Sequence, residues 1–332
     1  MRNLKISVLG DGGWGTTLAI LLQQKGFSVS LWGAFPDYVR ILNKKRVNTR
    51  FLPQVKIPRQ IEIIDDLKKA VTGKDLIVFA VPSEYIRSVL EKIKRLGFDR
   101  DCSYISVSKG IEICSLKRIS EIIREELGNV PLGVLSGPTI VREIIAGKPA
   151  TAIIASHNKN LAKSLQDIFS SRDFRIYTSS DVVGVELGGS LKNVIAIACG
   201  ISDGLELGTN AKAAILSRGL AEICRLGVKM GAETRTFSGL SGLGDLVTTC
   251  SSPFSRNRSV GEQIGRGKTL AGIMKTMKMV AEGVPTAKSA YMLSKKFSVE
   301  MPITEQVYSV LYKNKNPLSA VKELMTRKKK EE

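Results

Sequence analysis

Apolar positions in the first half of the chain come in short blocks. Leu4 to Leu9 is a strand-like run, Thr16 to Lys25 carries Leu18, Leu21 and Leu22 at helical spacing and stops at Gly26, and Phe27 to Trp32 is apolar again. The three predict strand, helix and strand. Asp75 to Val81 is a continuous apolar run that ends at Pro82-Ser83, the pattern of a strand buried on both faces of a parallel sheet. Tyr104 to Val107, Gly133 to Leu135, Ala150 to Ala155 and Phe174 to Tyr177 extend the series. From about Asp181 the spacing becomes that of helices: Val183 to Ile201, Asn210 to Leu226, shorter segments with glycine-rich joints, and a last helix near residues 317–328.

Between the first strand and the first helix lies Gly10-Asp11-Gly12-Gly13-Trp14-Gly15. Such a glycine pattern arises often by chance, but here the whole βαβ unit surrounds it. In that setting Gly10 makes the tight turn, Gly12 lets backbone approach a pyrophosphate, and Gly15 lets the helix close on the strand, with free N–H groups aimed at the anion. The stretch predicts a site for a nicotinamide or flavin dinucleotide. The fold class expected is therefore α/β: a Rossmann-type, mostly parallel sheet in an N-terminal domain, residues 1–180, and an all-α C-terminal domain, residues 181–332. The boundary near residues 178–182 is a shift of period, with no low-complexity linker and no internal repeat. Small or polar residues follow four strand ends, at Gly10 to Gly15, Val81-Pro82-Ser83, Ser108-Lys109-Gly110 and Ser136 to Thr139. The carboxyl edge of an open α/β sheet is where ligands sit, so these four can converge.

The length of 332 residues and 43% hydrophobic content suffice for two buried cores. Met1-Arg2-Asn3-Leu4 leads straight into the first strand, and no apolar run approaches the roughly 18 residues of a membrane span, so a cytoplasmic protein without integral membrane association is expected. Five scattered cysteines, Cys102, Cys114, Cys199, Cys224 and Cys250, lack any CxxC or metal-ligand spacing and read as reduced and mostly buried, with no metal. A net charge of +19 raises nucleic acid or an anionic surface as a partner. However, the basic residues are spread along the chain, with local clusters at Asn43-Lys44-Lys45-Arg46 and Arg327 to Lys330, and aromatics are only 6% and not interleaved with them as stacking platforms. No specific nucleic-acid partner is expected.

Chemistry has to be found without histidine, since the one histidine, His157, lies in a polar turn after a strand. The best replacement is in Gly184-Val185-Glu186-Leu187-Gly188-Gly189-Ser190-Leu191-Lys192-Asn193-Val194, where helical spacing puts Glu186, Gly189, Ser190 and Asn193 on one side and Lys192 on a stripe with Gly188 and Ala196. Paired glycines inside a helix cost about 1 kcal/mol each relative to alanine, so something should need the close approach they allow. A lysine amid such apolar neighbours has its pKa lowered and can pass a proton near neutral pH; the other reading is a lysine whose ammonium snorkels to water. Spacing leaves both open. Further on, Gly239-Leu240-Ser241-Gly242-Leu243-Gly244-Asp245 reads as a nest of backbone N–H groups, and Ser255-Arg256-Asn257-Arg258 offers forked donors suited to a phosphate dianion. Alone, this stretch equally describes a surface loop with a capping serine.

Taken in order, Gly10 to Ala19, Val81-Pro82-Ser83, Ser108 to Glu112, Leu135 to Thr139, Glu186 to Val194, Asn210 to Ala214, Gly239 to Asp245 and Ser255 to Arg258 resemble the blocks of bacterial NAD(P)-dependent sn-glycerol-3-phosphate dehydrogenases over nearly the whole chain. The resemblance implies reversible hydride transfer between NAD(P)H and dihydroxyacetone phosphate, giving sn-glycerol 3-phosphate for glycerophospholipid synthesis, by a homodimer. It makes Lys192 the proton donor to the ketone oxygen. It places substrate on Lys109, Gly137, Thr139, Lys192, Asp245, Ser255, Arg256 and Asn257, with the phosphate at Arg256 and Asn257. It places the cofactor on Gly10, Gly12, Gly13, Trp14, Gly15, Lys109, Val141, Arg256, Val280 and Glu282.

The chain departs from that pattern at the end of the second strand. Leu31-Trp32-Gly33-Ala34-Phe35 has neither an acid to grip both ribose hydroxyls nor the basic residue that many relatives carry at Ala34; Arg40, Lys44, Lys45 or Arg46 are candidates to face a 2′-phosphate instead. NADP or NAD, with NADP modestly preferred, is the cofactor expected. Gly13 also replaces a common serine. Two rivals are a different 2-hydroxyacid or polyol dehydrogenase of the same plan, which would have little use for Ser255-Arg256-Asn257, and a redox-sensing regulator that binds nucleic acid through its basic surface.

Overall fold

Alternation of apolar side chains builds one large sheet out of the first-half blocks. The computed structural model describes residues 4–277, 280–329 and 331; Met1-Arg2-Asn3 and the Lys330 and Glu332 of the basic tail lie outside the described residues. The strands are β1 (Lys5–Leu9), β2 (Ser28–Trp32), β3 (Val47–Asn48), β4 (Leu52–Lys56), β5 (Glu62–Ile64), β6 (Leu76–Phe79), β7 (Ser103–Ser106), β8 (Leu132–Ser136), β9 (Ala150–Ala155) and β10 (Phe174–Ser179). Eight of them form a sheet in the order β10-β9-β8-β7-β6-β1-β2-β5, while β3 and β4 pair separately. Every pairing in the large sheet is parallel except β8 with β9. The mostly parallel, Rossmann-like sheet is thus present.

The two-residue period supplies two cores. Leu76 and Val78 of β6 join the cluster on one face with Leu18 and Leu22 of the helix Gly13–Gln24, whereas Ile77 and Phe79 join the other with Ile86, Val89, Leu90 and Ile93 of the helix Ile86–Leu96. Strand order reverses at β1, which lies between β6 and β2. The loops after β1, β6, β7 and β8 leave from one edge, as expected for a ligand-binding switch point. Because β9 runs against β8, Ser156-His157 leaves from the opposite edge, and His157 is exposed. The short strands β3 to β5 and the helix Pro36–Lys45 have no long apolar period, and pattern reading did not resolve them.

The chain divides into two compact units: Met1–Lys109 with Lys117–Glu186, and Gly110–Leu116 with Leu187–Glu332. The second is helical, built on residues 187–204 of the helix Val182–Gly204 and on Gly208–Lys229, Arg256–Gly265, Gly283–Lys296, Pro302–Tyr312 and Pro317–Met325. Val182–Gly204 is long and apolar enough to cross a membrane, contrary to the sequence expectation, because Glu186, Lys192 and Asn193 interrupt a pattern that is apolar on average. Burial of 89% of its apolar window inside the protein marks it as a core helix. It crosses Arg256–Gly265 at backbone contact: a Cβ on Gly200 would stand 2.0 Å from the Arg258 carbonyl oxygen, and one on Gly261 2.1 Å from that of Ile197.

The cysteines are free thiols; Cys102, Cys199 and Cys250 are buried, Cys224 half-buried and Cys114 exposed.

Candidate active site

In the first unit the glycine loop is shaped by close backbone contacts. Gly10 has φ +122°, and a Cβ there would lie 2.6 Å from the Ala80 carbonyl oxygen; one on Gly15 would lie 1.9 Å from the Gly10 carbonyl oxygen. At Gly12 a Cβ would meet nothing within 4 Å. The helix Gly13–Gln24 starts at a Gly12 N-cap with no side-chain cap and no acid in its first turn, so its leading amides and positive end are available to an anion. Val141 stands beside the loop, with Cγ1 3.8 Å from the position of a Cβ on Gly13. Trp14 packs edge-on against Phe174 at 6.3 Å, and its buried Nε1 has no hydrogen-bond partner among the described residues. An uncapped helix start, an open Gly12 and an orphaned indole donor fit a dinucleotide.

The parallel neighbours β7 and β8 bring their carboxyl-end loops together. Lys109 Nζ donates to the Gly137 carbonyl at 2.8 Å and to Thr139 Oγ1 at 3.4 Å, which gathers three expected substrate residues. Ser108 Oγ donates to the Val81 carbonyl at 2.5 Å and ties in the loop after β6.

In the second unit the expected groups fall into separate contacts. Lys192 Nζ forms an ion pair with Asp245 Oδ1 at 2.6 Å and donates to Thr249 Oγ1; Thr249 in turn reaches Asp245 Oδ1 at 3.3 Å. The side chains of Lys192 and Asp245 are 8% and 2% exposed. Lys192 is thus largely buried, and its ammonium faces a carboxylate rather than apolar groups alone. The stripe shared with Gly188 explains the approach, since a Cβ on Gly188 would sit 2.5 Å from the Ser241 carbonyl oxygen. Asn257 donates to Asn193 Oδ1 at 2.9 Å and accepts from the Gly283 amide at 2.9 Å. Arg256 Nη1 donates to the Val280 carbonyl at 2.6 Å, within electrostatic reach of Glu282, so three expected cofactor contacts also cluster.

One expectation is narrowed. Leu240–Gly244 is a π-helical turn whose Gly244 and Asp245 amides bond back to the Gly239 and Leu240 carbonyls, so these amides of the predicted nest are already engaged; the turn delivers Asp245 to the start of the helix Asp245–Ser251. Ser255 caps the helix Arg256–Gly265 by accepting from the Arg258 amide at 3.3 Å, leaving its hydroxyl proton to donate. Arg258 pairs with Asp203, which also holds Lys212. Of the basic residues expected near a 2′-phosphate, Arg40 pairs with Asp37, and Arg46 donates to the Pro58 and Ile61 carbonyls. Sequence reading missed Thr249, whose signal was its place one helical turn after Asp245.

Two family models match the chain: the N-terminal part of NAD-dependent glycerol-3-phosphate dehydrogenase over residues 5–162 and its C-terminal part over residues 181–322. A glycerol-3-phosphate dehydrogenase of Fusobacterium nucleatum, named for NAD(P)+, is 49% identical over 98% of both chains. That of Prosthecochloris aestuarii, with the same name, is 49% identical over 98% of this chain and 99% of the relative. The crystal structure of glycerol-3-phosphate dehydrogenase from Coxiella burnetii is similar at a TM-score of 0.95 and 38% identity, covering 98% of this chain and 99% of that one.

Proposed function

Since the chain belongs to the NAD-dependent glycerol-3-phosphate dehydrogenase family and is an oxidoreductase that uses NAD or NADP, we propose that Lys192 carries the proton transfer of its reaction, between dihydroxyacetone phosphate and sn-glycerol 3-phosphate. The observation that supports this role is the buried Lys192–Asp245–Thr249 cluster. Bound nicotinamide supplies the hydride in reduction and accepts it in oxidation. As charge builds on the ketone oxygen, Lys192 Nζ donates to it and neutralises it, while the Asp245 carboxylate offsets the ammonium beforehand and the Thr249 hydroxyl orients it. In the reverse direction Lys192 accepts the proton.

Arg256 and Asn257 hold the substrate phosphate, assisted by Ser255, and Lys109, Gly137 and Thr139 hold the rest of the substrate. The dinucleotide is held by Gly10, Gly12, Gly13, Trp14, Gly15, Lys109 and Val141, with Arg256, Val280 and Glu282. NADP is used with modest preference, by a cytoplasmic homodimer in glycerophospholipid synthesis. The test is steady-state NADPH oxidation with dihydroxyacetone phosphate against dihydroxyacetone, repeated with NADH. Strong preference for the phosphorylated ketone is expected; preference for the unphosphorylated one overturns the substrate, and NADH favoured above about tenfold, or 1.4 kcal/mol, overturns the coenzyme preference.

A further inference from the structure

In the dinucleotide fold an acid at the end of the second strand receives the ribose 2′-hydroxyl. Here β2 ends at Trp32 and continues into Gly33-Ala34-Phe35, so that position holds no carboxylate. A carboxylate reaches it from another element. A Cβ on Gly33 would stand 2.5 Å from Asp11 Oδ2 and 2.9 Å from Asp11 Cγ, which places the Asp11 side chain directly against the end of β2. The absence of a side chain at Gly33 is what admits it.

The backbone under Asp11 is firmly held. Gly10 N donates to the Trp32 carbonyl at 2.9 Å, and Asn48 Nδ2 donates to the Asp11 carbonyl at 2.8 Å and to Thr16 Oγ1 at 2.7 Å. Tyr38 secures Asn48 in turn through its hydroxyl, which donates to Asn48 Oδ1 at 2.7 Å. Yet Asp11 Oδ2 is buried with no hydrogen-bond partner among the described residues. Burial pushes the Asp11 carboxyl up, opposed by its backbone hydrogen bond and by the Arg50 guanidinium. Arg50 lies 4.1 Å over the Tyr38 ring. Its backbone amide donates to the Tyr38 hydroxyl at 3.1 Å, and its charge acts on this carboxylate, whereas Arg40 and Arg46 are engaged elsewhere. A buried acceptor without a donor is unfavourable in a folded chain unless a ligand completes it.

We propose that Asp11 and Arg50 together set the coenzyme preference: the Asp11 carboxylate receives the adenosine ribose hydroxyls in place of the missing acid of β2, and Arg50 attracts the 2′-phosphate that the carboxylate repels. Their opposition is what leaves both coenzymes usable. This deepens the proposed dinucleotide site and rests on it.

The test compares Asp11→Asn and Arg50→Met with the unaltered protein, titrating NADPH and NADH by calorimetry without substrate and recording Tm. Asn keeps the shape under Gly33 and removes the charge. In Asp11→Asn the ratio of NADPH to NADH affinity should rise at least about threefold, and in Arg50→Met it should fall at least about threefold, with Tm held in both. A smaller change in ratio, or equal weakening of both coenzymes with a lowered Tm, shows that Asp11 only fills space under Gly33 and overturns the inference. Failure of the unaltered protein to reduce dihydroxyacetone phosphate would refute the proposed substrate yet leave these nucleotide titrations readable.

Discussion

Lys192 illustrates how a single side chain takes its character from partners distant in sequence. The ammonium is stabilised by Asp245, and removing it leaves a buried carboxylate without its counter-charge, a loss of about 3–5 kcal/mol for a buried pair. Lys192→Ala should therefore lower both turnover, by a factor on the order of 10² or more, and Tm. The two effects separate in Lys192→Met combined with Asp245→Asn, which should recover Tm without recovering turnover. Coenzyme affinity by titration should stay near its original value, and near-normal turnover in either variant would reject the role. Arg256 makes a different argument, because the residue is exposed as a whole while its guanidinium is already held by the Val280 carbonyl. Arg256→Ala should chiefly raise substrate KM, little corrected by more coenzyme; an unchanged KM would remove the phosphate assignment.

Among the elements, glycines divide into those that folding needs and those that leave room. At Gly261 a Cβ would press on the Ile197 carbonyl oxygen at 2.1 Å, so Gly261→Ala should force apart two core helices and lower stability by about 1–3 kcal/mol in denaturant unfolding. Gly12 has φ −68° and an open Cβ position, both compatible with alanine. Gly12→Ala should leave Tm unchanged and weaken the dinucleotide; intact affinity there would argue against backbone approach by a pyrophosphate. The longer elements were legible because each repeats its period over enough residues, as in β9, where Ala150–Ala155 coincides with the apolar block. The strands β3 and β5 span only two and three residues, and β4, Leu52–Lys56, carries a proline and is mostly exposed, so no apolar period stands out. The glycine-rich turn before Asp245 misled for a related reason: glycine frequency reports freedom, while the π-helical hydrogen bonds that use it depend on packing against Gly188.

For the whole molecule, a charge of +19 without a concentrated stripe predicts attraction that is long-ranged and easily screened. Binding to anionic vesicles should be measurable near 0.01 M salt, where the Debye length is about 30 Å, and vanish by 0.15 M, where it is about 8 Å. Persistence at the higher salt in a flotation assay would reveal a dedicated basic face. The sequence by itself determined the βαβ start with its glycine loop, the alternation of strands and helices, the change to a helical half, and the candidates Lys192 and Ser255-Arg256-Asn257, because period and residue chemistry are local properties. Tertiary structure alone decided the rest. It reversed β9 and so sent His157 to the far edge of the sheet, joined Lys192 to Asp245 across 53 positions, set Asp11 against Gly33, and let Glu222 cap the helix Pro302–Tyr312 from 81 positions away. Such pairings follow from strand order and helix crossings, which bring distant segments together by burying surface that no single segment can bury alone.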